Sequence, residues 1–162
     1  MKTPNVDGWN GSNLEIWRDF GNIGPYEGEQ HAELNAHPSN GGVFSIYQTF
    51  ATTQGQGYEL FFASGARRNN NESFLVALDG ANSLLNRLMD DHTVNNWSTF
   101  STRFIADSDF TTLRFTSEPH ATRTVGNFLD GVSVTAVPAP GSLALFGAAL
   151  LGLGLRGRKR AS

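Results

Sequence analysis

The chain has 162 residues, no cysteine and a formal charge of −3. That length suffices for one domain with its own core, and the missing cysteines exclude disulfides, a thiolate nucleophile and a cysteine-held zinc. Four cations, Arg156, Arg158, Lys159 and Arg160, close the chain and leave −7 for everything before them; with no basic stripe to displace counterions from phosphates, a nucleic-acid binder is excluded.

In chain order, the opening MKTPNVDGWNGSNLEIW has a lysine but no apolar stretch of the secretory kind. Strands are expected over 14–18, 30–36, 43–52, 57–66, 73–79, 84–89, 97–105, 111–116 and 127–135, where aromatic and β-branched runs are separated by small polar clusters. Alternation is clearest in FSIYQTF, which puts Phe44, Ile46, Gln48 and Phe50 on one face, and in SFLVAL, which aligns Phe74, Val76 and Leu78. In FLDGVSV the same period places Phe128, Asp130, Val132 and Val134 together. Turn chemistry divides the runs at NGG, TQGQG, RNNNE and DGAN. No stretch before Pro138 sustains a 3.6-residue period. The fold class read from this pattern is all-β, a jelly roll or β-sandwich over residues 1–136, with a C-terminal apolar helix in residues 137–162.

The composition changes abruptly after AVPAPG, whose two prolines favour an extended chain and end the last strand. Leu143 to Leu155 carries no charge; as a helix it spans ~20 Å against ~30 Å of hydrocarbon. A core helix needs a polar face, and LALFGAALLGLGL has none. The basic stop at Arg156, Arg158, Lys159 and Arg160 fits retention on the cytoplasmic side. Leu143, Leu145, Phe146, Leu150, Leu151, Leu153 and Leu155 are the expected membrane-facing residues.

Pro-Ala-Pro-Gly-Ser, a Leu/Ala/Gly run and Arg-Gly-Arg-Lys-Arg together resemble the PEP-CTERM sorting signal of exopolysaccharide-producing Gram-negative bacteria. The resemblance implies an exosortase-type enzyme reading a box at Pro138, Ala139 and Pro140, where Ala139 replaces the usual Glu. It also implies export, with the tail in the inner membrane in transit and the product at the cell surface or outside. The body, through DGWNGSNLEIWR, YEGEQHAELNA, SIYQTFATTQGQGYELFFASGARR and NFLDGVSV, is similar to secreted domains related to galactose-binding-like jelly rolls, among them many carbohydrate-binding modules. Such domains carry an export signal and a first strand ahead of the tryptophan. With Trp9 almost at Met1, both are expected to be missing from the chain.

Glu33, and Asp130 among apolar neighbours, are carboxylates that are costly to bury unless paired, hydrogen-bonded or metal-bound. The galactose-binding-like resemblance implies a structural calcium held by Asp130 with Glu33 or Glu15; the alternative is that Asp130 closes the turn through Gly131 or pairs with an arginine. Trp9, Trp17, Tyr26, Tyr47, Tyr58 and Trp97 offer flat faces for the C–H side of a sugar ring. Trp9 and Tyr26, in loop-like segments, are the expected carbohydrate-binding aromatics, whereas Trp97 at a strand start is expected in the core. Arg67 and Arg68, followed by three asparagines, suit hydroxyl or carboxylate recognition. The four histidines show no ligand spacing, Asp90 and Asp91 point apart if on a strand, and no catalytic motif is present. The expected function is non-catalytic binding of carbohydrate, exopolysaccharide or matrix at the surface; the alternative is a structural surface protein acting through protein–protein contacts.

Overall fold

The computed structural model describes residues 2–3, 6–11, 14–20, 23–34, 43–68, 73–90, 93–118 and 126–138. In chain order the strands are β1 (Lys2–Thr3), β2 (Asn10–Gly11), β3 (Leu14–Trp17), β4 (His31–Glu33), β5 (Ser45–Ala51), β6 (Gly57–Ala66), β7 (Phe74–Asp79), β8 (Ser83–Met89), β9 (Ser98–Ile105), β10 (Phe110–Ser117) and β11 (Asn127–Ala136). They make two antiparallel sheets, one of six strands in the order β1-β3-β4-β11-β6-β9 and one of five in the order β2-β5-β10-β7-β8. All nine expected strands are present. β1 and β2 were not expected, because two residues are too short to show a period.

The core lies between the sheets. Phe74, Val76 and Leu78 of β7 are fully buried, as their alternation requires, and Phe115 and Leu113 of β10 meet Leu60 and Phe62 of β6. Phe62 stands edge-to-face on Phe115 at 5.2 Å and also touches the rings of Phe74 and Phe100. Each such side chain contributes about 1.5–3 kcal/mol through burial.

The alternation reading fails in β11. Its pairing with β6 runs in register from Asn127 to Asp130, shifts, and resumes at Ser133. Gly131, at φ +59, supplies the left-handed conformation of this bulge. The extra residue changes the parity of the strand. Leu129 faces the core before it, and Val132 and Val134 face the core after it. Asp130 therefore shares the outer face of the six-stranded sheet with Phe128, and not with Val132.

The connections at 52–56, 80–82 and 106–109 gather at one end of the sandwich. There Asp107 accepts from the backbone N–H of Ala81 and Asn82 and from the Asn82 amide, and the Asn82 hydrogen bond, first among these, holds its carboxyl below the usual range. The chain leaves from the same end at Val137. The expected apolar helix, from Leu143 to Leu155, lies outside the described residues, as do Ala139, Pro140 and the basic stop at 156–160. Among the described residues no helix is long and apolar enough to cross a membrane.

Candidate functional site

The outer face of the six-stranded sheet is not bare. Cross-strand pairing sets Glu15 opposite Glu33 and Trp17 opposite His31, and sets Glu33 opposite Phe128. Residues 18–20 and 23–30 pack over this row from one side and residues 93–97 from the other. Trp17 stacks on Phe20 at 3.9 Å, and the Arg67 guanidinium lies 4.1 Å over the Phe20 ring. Trp97 donates its indole N–H to the Gly24 carbonyl and meets His31, Phe128 and Tyr26 edge-on or tilted. Gly65 permits the close approach of 93–97, since a side chain there would run into the Asn96 carbonyl. Trp97, expected in the core, packs in this outer cluster.

Glu33, 1% exposed, is the polar centre of the cluster. Oε1 accepts from the Arg67 guanidinium at 3.0 Å and from the Gly126 N–H at 2.9 Å; Oε2 accepts from the Trp17 indole at 2.9 Å. Burial pushes its carboxyl above the usual value, and the Gly126 and Arg67 bonds oppose that rise. Asp130 anchors the neighbouring loop: Oδ2 accepts from the backbone N–H of Tyr26 and Glu27, and Oδ1 from that of Gly131. The reading in which Asp130 closes the turn through Gly131 describes this geometry. Every oxygen of Glu33 and Asp130 thus faces an N–H donor, whereas calcium needs several free oxygen ligands. Glu15 is buried beside Glu33, and the described residues hold no group of three or more acids and histidines placed for a metal. These carboxylates do not fit a calcium site. Arg67, expected to read sugars, is taken up by Glu33 and Phe20; Arg68 beside it is exposed.

The ladder between β4 and β11 has two rungs, Phe128↔Glu33 and Leu129↔Ala32. Where the two strands part, an open cavity of about 510 Å³ enters the sandwich. Its wall is apolar, from Trp9, Ile16, Ile46, Leu129 and Val132; Glu27, Gln30, His31 and Asp130 supply the polar part. Trp9 is half-buried, its ring tilted at 6.0 Å from Phe115. His31 is 2% exposed and neither ring nitrogen has a hydrogen-bond partner among the described residues. Burial pushes its pKa down, and Asp130 and Asp19 pull the other way. The structure therefore brings the expected Trp9 and Asp130 to one cavity. Tyr26, 42% exposed, sits on the adjoining outer cluster against Phe61, and Arg68 lies beyond β6. Sequence reasoning missed His31, Gln30 and Glu27; the alternation in HAE, which sets His31 beside Glu33 on one face, was the available signal.

A second polar surface lies on the outer face of the five-stranded sheet. Arg114 pairs across with Tyr47, stacks 4.3 Å over its ring and donates to Ser45 Oγ at 3.0 Å. Thr49 and Thr112 share a hydrogen bond on the same face.

Residues 136–159 match the model of the PEP-CTERM protein-sorting motif. The chain carries this sorting signal. A PEP-CTERM motif implies exosortase processing and export toward the cell surface. Comparison of the sequence with curated proteins gave no match. The body ahead of the PEP-CTERM motif is similar in fold to carbohydrate-binding modules. One is TmCBM61, solved with β-1,4-galactotriose, at 12% identity and a TM-score of 0.58 over 80% of this chain and 88% of that one. Another is the CBM22-1 xylan-binding domain of Paenibacillus barcinonensis Xyn10C, at 10% identity and 0.58 over 84% and 90%. A third is CBM35 of Paenibacillus barcinonensis, at 16% identity and 0.52 over 80% and 94%. In a larger protein, the enzymatically active domain of bacteriophage CBA120 tailspike protein 4, the chain spans 20% of the length. The two-sheet sandwich is the shared property.

Proposed function

We propose that the protein is a non-catalytic, surface-sorted binder of polysaccharide or matrix glycan, and that the sugar enters the cavity beside Trp9. The cavity carries this reading. An aromatic and aliphatic wall suits the C–H face of a pyranose, and a polar rim suits its hydroxyls. His31 borders the cavity, and neither of its buried ring nitrogens has a hydrogen-bond partner among the described residues. The C-terminal motif supports delivery to the surface, where such a ligand is met.

The test is binding of the full chain in detergent to a panel of soluble polysaccharides, by calorimetry. Trp9→Ala and the rim variant Gln30→Ala each weaken binding about tenfold, the order expected for losing a stacking or a hydrogen-bonding contact. Wild-type affinity in both variants overturns the cavity assignment. A second reading places the glycan on the five-stranded sheet, favoured by Arg114, which is stacked on Tyr47 and has no carboxylate partner among the described residues. A loss in Tyr47→Ala and Arg114→Ala, with Trp9→Ala unaffected, selects that face and a ligand bearing carboxylates.

A further inference from the structure

The sorting motif is joined to the sandwich without slack. The Val137 N–H donates to the Gly57 carbonyl at 2.9 Å, and its own carbonyl accepts from the Gln56 amide at 2.6 Å. The box begins at the next residue, Pro138, which is exposed. An enzyme that grips 138–140 must therefore lie against the end of the sandwich from which the chain emerges. Five residues, from Pro138 to Ser142, separate this end from the apolar run, and fully extended they reach about 17 Å.

That end is unusual in what it displays. Ile105 is 67% exposed and Phe110 64% exposed, the highest values among the large apolar side chains described. Ile105 pairs with Gly57, the residue that holds Val137, and Phe110 begins the next strand across the 106–109 connection. Single exposed apolar residues need no explanation; two of them at the end from which a processing signal leaves, Ile105 on the outer face of one sheet and Phe110 on that of the other, do. The same end carries Asp79, Asp107 and Asp109, and no lysine or arginine occurs in 51–57, 79–83, 105–110 or 136–138. An anionic lipid surface repels such an end, whereas a protein face that is apolar with a basic rim complements it.

We infer that the Ile105–Phe110 end is a docking surface for the exosortase-type enzyme that processes the motif, engaging an apolar, basic-rimmed face of that enzyme outside its box-binding groove. The inference rests on the sorting reading and adds a contact that the motif itself does not contain.

The test uses the full chain co-expressed with an exosortase-type protease, with cleavage followed by intact mass. Ile105→Ser, Phe110→Ser and Asp109→Lys each slow processing about fivefold or more, the size of an ordinary interface contact. Leu88→Ser, equally a loss of an exposed apolar side chain but on β8, is processed at the wild-type rate. Thermal melts of the variants confirm that the fold is kept. Wild-type rates in all three tip variants, or equal slowing in Leu88→Ser, overturn the inference. A wild-type chain that is never cleaved overturns the sorting reading instead, so the two failures are distinct. Because the chain has no cysteine, a dye on Phe110→Cys reports this end alone. In vesicles lacking the enzyme the dye stays in water; a lipid-buried dye assigns the end to the membrane and overturns the proposal.

Discussion

The six-stranded sheet is buried on its inner face, and on its outer face over β3, β4 and the first half of β11, by opposite means. Its inner face meets a second sheet through Leu60, Phe62 and Leu129, and the attraction is area, non-directional and spread over many contacts. Its outer face is closed by irregular chain held at named atoms: three donors on Glu33, three on Asp130, one indole on Gly24. Regular elements bury a face by repetition. Irregular segments cannot repeat, so each needs its own polar anchor, and a buried anchor must be fully partnered.

Substitutions at matched sites test that contrast. The largest effects are Phe62→Ala and Glu33→Ala, each costing about 3–5 kcal/mol in denaturant unfolding. Conservative replacements then separate the faces. Phe62→Leu keeps most of its apolar volume and recovers much of the loss, whereas Glu33→Gln leaves one acceptor where three donors converge and recovers little. Equal recovery at the two sites breaks the comparison.

Asp130→Asn costs about 1–2 kcal/mol, and hydrogen exchange rises at the amides of Tyr26 and Glu27 while β7 and β10 stay protected. Uniform loss of protection would make Asp130 a part of the global core rather than a loop anchor.

Between pH 7 and 5 the response expected among the described residues is smaller and comes from the outer face. The His31 pKa lies below 6.5 in the folded state, so the folded protein resists its protonation. The stability tied to the neutral imidazole is complete above 6.5 and is lost as pH falls toward the folded value. Glu33 acts in the opposite sense: its folded pKa lies above 4.5, so its ionisation costs stability as pH rises through that value. Melting followed from pH 7 to 5 falls in the wild type, and His31→Phe flattens the fall; an unchanged slope removes His31 as its source. The smallest effect is expected from chelation. Glu33 and Asp130, once expected to hold calcium, already face N–H donors, so chelator and added calcium leave the melting temperature unchanged, and a calcium-dependent rise would show a site outside these two residues.

The inner face was legible because it repeats. Phe74, Val76 and Leu78 occupy alternate positions, and their burial follows from the pleat. The outer face was legible only in fragments. Glu33 stood out as an acid among apolar neighbours, yet its partners come from positions 17, 67 and 126, which no local pattern connects. The candidate site divided in the same way: Trp9 was visible as a loop aromatic, but the cavity beside it exists because two strands part after two rungs.

The sequence by itself determined the two-residue period, the turns, the all-β class and the tripartite sorting signal, because each is written in the order of neighbouring residues. Only the tertiary structure decided which face each strand turns to the core after the Gly131 bulge. It also decided that Glu33 and Arg67 neutralise one another, and that the signal leaves from the end bearing Ile105 and Phe110. One inserted residue reverses the parity of everything after it, and long-range partners are chosen by packing, so neither can be read from adjacent positions.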